Sequence, residues 1–418
     1  PFPFFLAYAA ALLKKENKEV KLIDAIAAEI TEENFLEAVK AYNPGLVVIE
    51  TSTPSFKNDL RITRAIHCNS SGSKIVMCGP HASTFSGEIL NAYDFIDYIL
   101  IGEYEYTLLD LVNHLEAALK LESILGLAYR AGEKIVINNA RPTIDKLDSL
   151  PWPDREGADI YKYNDGFAGL PSPNVQMWSS RGCPFQCIYC LWPQTMYHEH
   201  RYRKRNHVDV IDEMSWLIQR FNFKAVYFDD DVFNIDRSHV LGVCKEIRGR
   251  NIKTPWAAMA RADLMDEELL KTMASSGLCA IKYGVESADQ DILNSCKKNM
   301  DLAKAQQIIM LTQKLGIKVH LTFCLGLPGE TKCSIQKMLR FIQDIQPDSL
   351  QISYATPFPG TEFFTYLLEG KGYPLSKDWA DYDGNYKWIT RTQELKNEDL
   401  AKIRPFLNNN FNPGLYNL

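Results

Sequence analysis

Between about residues 174 and 354 the chain repeats a single unit, a short apolar run followed by a longer amphipathic stretch. Apolar runs at 175–178, 225–228, 256–260, 280–285, 319–325 and 349–354 alternate with helix-period stretches at 208–221, 239–248, 266–275, 300–315 and 334–345. Strands separated by helices predict a parallel sheet, and this many units in succession predict a sheet rolled into a partial (β/α)6 barrel of TIM type over residues 172–365. In such a barrel the functional side chains gather at the carboxyl ends of the strands.

Residues 1–122 alternate in a different rhythm. The pattern predicts helices at 4–15, 32–42 and 59–69, strands at 20–23, 46–49, 74–77 and 98–101, and a last helix opening after Gly102 and Glu103. Polar loops follow the strands, which predicts a Rossmann-like, doubly wound domain whose ligand lies beyond the strands' carboxyl ends. No G-x-G-x-x-G run is present, so a nicotinamide cofactor has little support. Residues 123–171 are expected to form a connector, with a hairpin at 124–137 and then an extended linker carrying Pro142, Pro151 and Pro153. Residues 366–418 are expected to be a small helical region.

Cys183, Cys187 and Cys190 stand at C-x3-C-x2-C spacing in a tight loop. Three thiolates so placed can hold three irons of a [4Fe-4S] cluster and leave the fourth without a protein ligand. The competing reading is a three-thiolate zinc site completed by His198 or His200. The other seven cysteines are scattered singly and read as small buried hydrophobes.

With Tyr189 just before its last cysteine, the triplet resembles that of the radical S-adenosylmethionine superfamily. Four later stretches are similar in the same order: Tyr227 to Phe233 with Asp229, Asp230 and Asp231; Trp256 to Arg261; Tyr283 to Ser287 with Glu286; and Leu321 to Glu330 with Gly326. The resemblance implies that the open iron is chelated by S-adenosylmethionine, which the reduced cluster cleaves to a 5'-deoxyadenosyl radical. Tyr189 then lies near the adenine, the acidic run near the amino group, Glu286 on the ribose hydroxyls and Gly326 against the adenine. It implies an external electron donor such as flavodoxin or ferredoxin. The bland alternatives are helix capping for the three aspartates, pairing with a neighbouring acid for Arg261, and a turn requirement for Gly326 and Gly329.

Residues 1–122 resemble the cobalamin-binding domain that precedes many radical S-adenosylmethionine barrels, in the Pro-Phe-Phe-Leu-Ala-Tyr opening, the strand from Asn43 to Ile49, the Gly79-Pro-His81 turn and the Gly102-Glu103 loop. The resemblance places cobalamin near Thr51, Ser52, Gly79, His81 and Glu103. Two departures stand out: the strand that usually precedes such an opening is missing, and so is the Asp-x-His-x-x-Gly signature that supplies a histidine to cobalt. His81 reads equally as a turn residue. The expected activity is methyl transfer to an unactivated carbon. The alternatives are a cyclisation, rearrangement or carbon–carbon bond formation, and a non-catalytic carrier. Around Leu191-Trp-Pro-Gln194 the chain is similar to family members of hopanoid and tetrapyrrole pathways, which implies a lipid or other small-molecule substrate.

The net charge of −6 argues against nonspecific nucleic-acid binding. The one basic run, Arg201 to Arg205, is expected to be a solvated face or a clamp for an anion. No apolar run is long enough to span a bilayer. Ten cysteines with no evident pairing, together with a labile cluster, point to a reducing, cytoplasmic setting.

Overall fold

The computed structural model describes residues 2–70, 72–369 and 376–390, together with 392, 394, 395 and 403. In the amino-terminal part, α1 (Phe4–Lys15), α2 (Glu32–Tyr42), β1 (Leu46–Glu50), α3 (Phe56–Asn69), β2 (Lys74–Cys78), α4 (Pro80–Thr84), α5 (Ser86–Ala92), β3 (Tyr98–Leu100) and α6 (Glu105–Glu116) alternate as expected. β1, β2 and β3 are parallel, with Val48 beside Val76 and Met77 beside Ile99. β4 (Leu127–Ala131) then pairs antiparallel with β3, and β5 (Lys134–Ile137) with β4. The hairpin expected in the connector therefore extends this first sheet. A tight turn between apolar runs announces that the two runs pair, but it does not say which third strand they join.

Residues 20–23 do not form the expected strand. They and residues 46–49 of β1 line an apolar groove of about 650 Å³. Extended backbone becomes a stable strand only when its N–H and C=O groups enter a ladder, and the groove keeps this segment from β1.

The second sheet is the partial barrel. Its elements are β6 (Asn174–Met177), β7 (Ser180–Arg181), α7 (Leu191–Thr195), β8 (Arg203–Lys204), α8 (His207–Phe221), β9 (Ala225–Phe228), α9 (Arg237–Gly249), β10 (Trp256–Ala260), α10 (Glu267–Ser275), β11 (Leu278–Glu286), α11 (Gln290–Ser295), α12 (Leu302–Lys314), β12 (Lys318–Leu325), α13 (Lys332–Ile345), β13 (Ser349–Tyr354) and α14 (Glu362–Glu369). Six strands lie side by side and parallel in the order β6-β9-β10-β11-β12-β13, while β7 and β8 form a small separate clasp. Six helices start on a polar side chain that accepts a backbone N–H: Asn206, Asp236, Asp266, Asp289, Asp301 and Thr331. Such caps stabilise a helix by about 1 kcal/mol each and fix where each crossover begins. Along β11, Ile281, Tyr283 and Val285 pack outward into the main core, so Ala280, Lys282 and Gly284 face the lumen.

Helix α1 joins the two parts. Phe4, Tyr8 and Leu12 enter the core outside the barrel, and Phe5, Ala9 and Leu13 enter the core of the first sheet. Burial on two sides explains why this helix has no polar face before Lys14. Beyond α14, residues 376–390 contain a single 3-10 turn at Trp379–Asp381 and bends, in place of the helical region expected there. Asp383 accepts the N–H groups of Asn385 and Tyr386, the local turn chemistry that competes with helix. The rest of that expectation falls outside the described residues. Among those described, no helix is long and apolar enough to cross a membrane.

Candidate active site

The cysteine loop leaves β6 and is tied down at each stage. Asp230, only 1% exposed, accepts the Ser179 N–H and both Ser179 and Ser180 hydroxyls. Asp231 accepts the Gly182 N–H at 2.7 Å and the Tyr197 hydroxyl at 3.1 Å. Gly182 has φ +86° and packs so tightly on the segment leading into β8 that a Cβ would lie 2.0 Å from the Arg201 carbonyl oxygen. No other residue fits there. Farther on, the Arg261 guanidinium stacks on the Phe185 ring, His200 Nδ1 meets the Phe185 carbonyl, and Gln194 Nε2 donates to the Cys187, Ile188 and Cys190 carbonyls. What this scaffold leaves uncommitted is the three thiols.

Burial pushes the Cys183 thiol up to about 11 and the Cys190 thiol well above the ordinary range, and the charges of Cys187 and Asp231 add to both shifts. The Lys298 charge opposes both shifts without cancelling them, whereas metal coordination removes a thiol proton outright. Among the described residues, no three His, Cys, Asp or Glu groups converge on one point as a single zinc would require. His198 lies against Gly102 and His200 is engaged with Phe185, so neither completes a tetrahedral set. Three thiolates with no fourth protein ligand are the donor set of a [4Fe-4S] cluster with one open iron.

Glu286 ends β11 at φ +68°, where the register with β12 slips between Gly284 and Glu286. Such a bulge re-aims a side chain, and a non-glycine residue held there stores strain of about 1–3 kcal/mol. The re-aimed carboxylate receives the Thr322 hydroxyl at 3.3 Å and lies 3.7 Å from Lys298 Nζ. Tyr189 is beside it, half-buried, with a buried hydroxyl that has no partner among the described residues. Gly326 has φ +90° and donates its N–H to buried Glu330. Burial raises the Glu330 carboxyl to about 8. Trp388 and Thr390 lie against this turn.

Several of the residues singled out from sequence are committed elsewhere. None of Asp229, Asp230 and Asp231 caps α9, whose cap is Asp236. Asp230 and Asp231 hold the cysteine loop, which leaves Asp229, its carboxyl raised by burial and facing Lys282 and the Tyr227 hydroxyl, as the acid of the run not engaged by that loop. Arg261 is held by Asp263 and the Lys298 carbonyl. Glu103 forms ion pairs with Arg181 and Arg203 and accepts the Ile144 N–H, so it links the first sheet to the cysteine loop with no face left for cobalamin. The basic run is neither a solvated face nor an anion clamp: Arg203 and Arg205 are buried on Glu103 and Glu213, and Arg201 pairs with Asp145 and Glu199. Surface charge and internal pairing look alike in a sequence.

At the first sheet, the Thr51 and Ser55 hydroxyls both bind Asp59, and Ser52 is tied to Ser55. Gly79, at φ +93°, brings its turn so close that a Cβ would stand 2.5 Å from the Thr51 carbonyl oxygen. His81 is 2% exposed, packed on Phe56, Phe85 and Trp379, with Nδ1 at 3.2 Å from the Thr53 hydroxyl. It is a packed turn residue and not a projecting metal ligand. The loops at 51–55 and 79–83 leave a cradle of hydroxyls and close backbone with no histidine extended into it, which fits a cobalamin bound without one. Lys298 was not evident from sequence, because a Cys-Lys-Lys run gives no sign that one of its lysines is buried.

Residues 179–342 match the family model described as the radical SAM superfamily, and residues 2–112 match the one described as the B12 binding domain. The chain is 28% identical over 402 residues to an uncharacterized methyltransferase of Pyrococcus horikoshii, covering 96% of this chain and 85% of that protein. It is 30% identical over 386 residues to the anaerobic magnesium-protoporphyrin IX monomethyl ester cyclase of Cereibacter sphaeroides, covering 88% of this chain and 60% of the relative. Among solved structures, the radical S-adenosylmethionine methyltransferase TsrM from Kitasatospora setae, with tryptophan substrate and a S-adenosylmethionine analogue bound, superposes with a TM-score of 0.78 at 17% identity, covering 99% of this chain and 87% of that one.

Proposed function

The chain belongs to the radical S-adenosylmethionine superfamily and carries a B12 binding domain, so it is a cobalamin-dependent radical enzyme using a [4Fe-4S] cluster, and from this premise we propose that it transfers a methyl group to an unactivated carbon of a lipid or natural-product intermediate. One observation supports methyl transfer above all. Helix α4, which follows the Gly79 turn of the first sheet, packs directly on α7, which follows Cys190. Gly360 closes this seam: a Cβ there would lie 2.7 Å from both Thr84 and Thr195. The two cofactor-side loops therefore share one wall, as a reaction that uses both cofactors on one carbon requires.

When bound, the cofactors supply a carbon radical and a methyl donor. The chain's own residues hold and shield them. Cys183, Cys187 and Cys190 hold the cluster. Glu286, steadied by Thr322 and Lys298, receives the ribose hydroxyls, and Tyr189 flanks the adenine. Asp229 meets the amino group. The Gly326 turn, held by Glu330, presents backbone to the adenine edge, and Trp388 excludes water over it. Thr51, Ser52 and Gly79 form the cobalamin cradle. Electrons come from an external carrier such as flavodoxin or ferredoxin.

The test is anaerobic reconstitution with S-adenosylmethionine labelled in its methyl group. Substrate extracts should gain label, with formation of 5'-deoxyadenosine, and Cys187→Ala should abolish both the cluster absorption and the cleavage. Cleavage retained in the Cys187→Ala protein would overturn the assignment. A second reading, ring closure without methyl transfer, is favoured by the 30% identity to a cyclase; it predicts 5'-deoxyadenosine with no label in the product.

A further inference from the structure

One layer of the barrel lumen is polar in a way that the cofactor sites do not use. Lys282 on β11 stands directly beside His320 on β12, and His320 beside Ser349 on β13. The Ala168 N–H donates to Ser349 Oγ at 2.9 Å, so the Ser349 hydroxyl is free to donate to His320 Nδ1, 2.6 Å away. Nδ1 is then an acceptor and the ring proton sits on Nε2. Burial, with the Lys282 charge adding to it and the Gln351 side chain opposing it, lowers the imidazole's affinity for protons to about 3 and holds it neutral. His320 is 5% exposed, and its Nε2 makes no hydrogen bond of ordinary geometry, the Gln351 side chain being the polar group that acts on the ring. It is a buried N–H donor facing the lumen.

Lys282 is the second donor. Its ammonium lies 5.5 Å from the centroid of Phe167 and 5.9 Å from that of Tyr227. Among the described residues it makes no ion pair or hydrogen bond; Asp229 acts on it only from beyond ion-pair distance. The Tyr227 hydroxyl, fully buried, faces the Asp229 carboxyl. A buried polar group left unmet costs about 1–3 kcal/mol, and Lys282, half-buried, keeps partial access to water. Two N–H donors side by side on adjacent strands, neither of them ion-paired among the described residues and both near aromatic faces, suit an oxyanion.

We propose that Lys282 and His320 form a subsite in the barrel lumen for an acidic group of the substrate, a carboxylate or a phosphonate. This rests on the reading that the barrel holds the substrate beneath the cofactors. Lys282 and Glu286 are four residues apart on one strand, about 13 Å at ~3.3 Å per residue. The subsite therefore lies on the order of 10 Å along β11 from the residue assigned to the ribose hydroxyls.

Binding of hexanoate, hexylphosphonate and hexanamide to the reconstituted, unreduced holoenzyme tests this, followed by the side-chain nitrogen resonances of histidine-labelled protein. No turnover occurs under these conditions, so a failure of methyl transfer leaves the result readable. Both acids should bind and shift the His320 Nε2 resonance, and the amide should not. Lys282→Met should weaken acid binding about tenfold or more, while Lys282→Arg, which keeps the charge, should retain most of it. Equal binding of acids and amide, no binding of either acid, or acid binding unchanged in Lys282→Met would each overturn the proposal. If Lys282→Met fails to fold, the comparison of acids with amide on the unsubstituted protein and on Lys282→Arg decides it.

Discussion

The guanidinium carbon of Arg261 lies 3.7 Å from the ring centroid of Phe185, a residue inside the cysteine loop. Two strands of the barrel away from β6, Arg261 thus presses on the segment between Cys183 and Cys187, while Asp263 and the Lys298 carbonyl fix its own position. A desolvated cation–π contact is worth about 2 kcal/mol. Arg261→Met should lower the iron retained per chain after desalting with little loss of secondary structure. Iron assay beside circular dichroism checks this; unchanged iron retention would show that the stack is not what holds the loop.

Gly284 leaves space for the Glu286 carboxylate, since a Cβ at 284 would lie 2.7 Å from Oε1. Gly284→Ala should displace that carboxylate and weaken S-adenosylmethionine binding about tenfold, the scale of one lost charge-assisted contact. Equilibrium dialysis of the reconstituted protein measures it. Glu286→Asn tests the backbone at the same place: asparagine tolerates positive φ better, so thermal stability should hold or rise while binding falls.

Glu330 is buried, and its folded-state affinity for protons is raised to about 8. The unfolded chain ionises near the ordinary glutamate value, so between about pH 4.5 and 8 the folded state holds the extra proton. Stability from this group is therefore lost as pH rises through that window, by at most about 1.4 kcal/mol per pH unit. Glu330→Gln removes the titration and should flatten the dependence of the urea midpoint on pH by up to one proton. An identical slope in the variant would place the titration elsewhere.

Glu103 pairs with Arg181 and Arg203, all three buried. Removing one member of a buried set leaves uncompensated charge and costs about 3–5 kcal/mol. Glu103→Gln should lower the urea midpoint markedly, and a double substitution with Arg203→Met should recover part of the loss. Additive losses would show that the two side chains do not act as a unit.

Much of this molecule can be read from its residues. Strands such as Ala225–Phe228, Trp256–Ala260 and Ser349–Tyr354 fall where the apolar runs place them, because each is bounded by turn residues and followed by a capped helix. The spacing of the triplet and the place of Glu286 at a strand end are legible in the residues. What escaped was partnership. Glu103, Arg203 and Arg261 carry charges that look available in one dimension and are neutralised by residues up to 100 positions away. Residues 20–23 have strand chemistry without a neighbouring strand, and Lys282 and His320 read as ordinary members of apolar runs until the register sets them side by side.

Helix α1 gives Phe4 and Tyr8 to one core and Phe5 and Leu13 to the other. With a single helix serving as structural property of both halves, neither half can be excised as a module that keeps its own interior closed. Heat should accordingly melt the chain in one calorimetric transition, so that loss of the cobalamin half and loss of the cluster half are the same event.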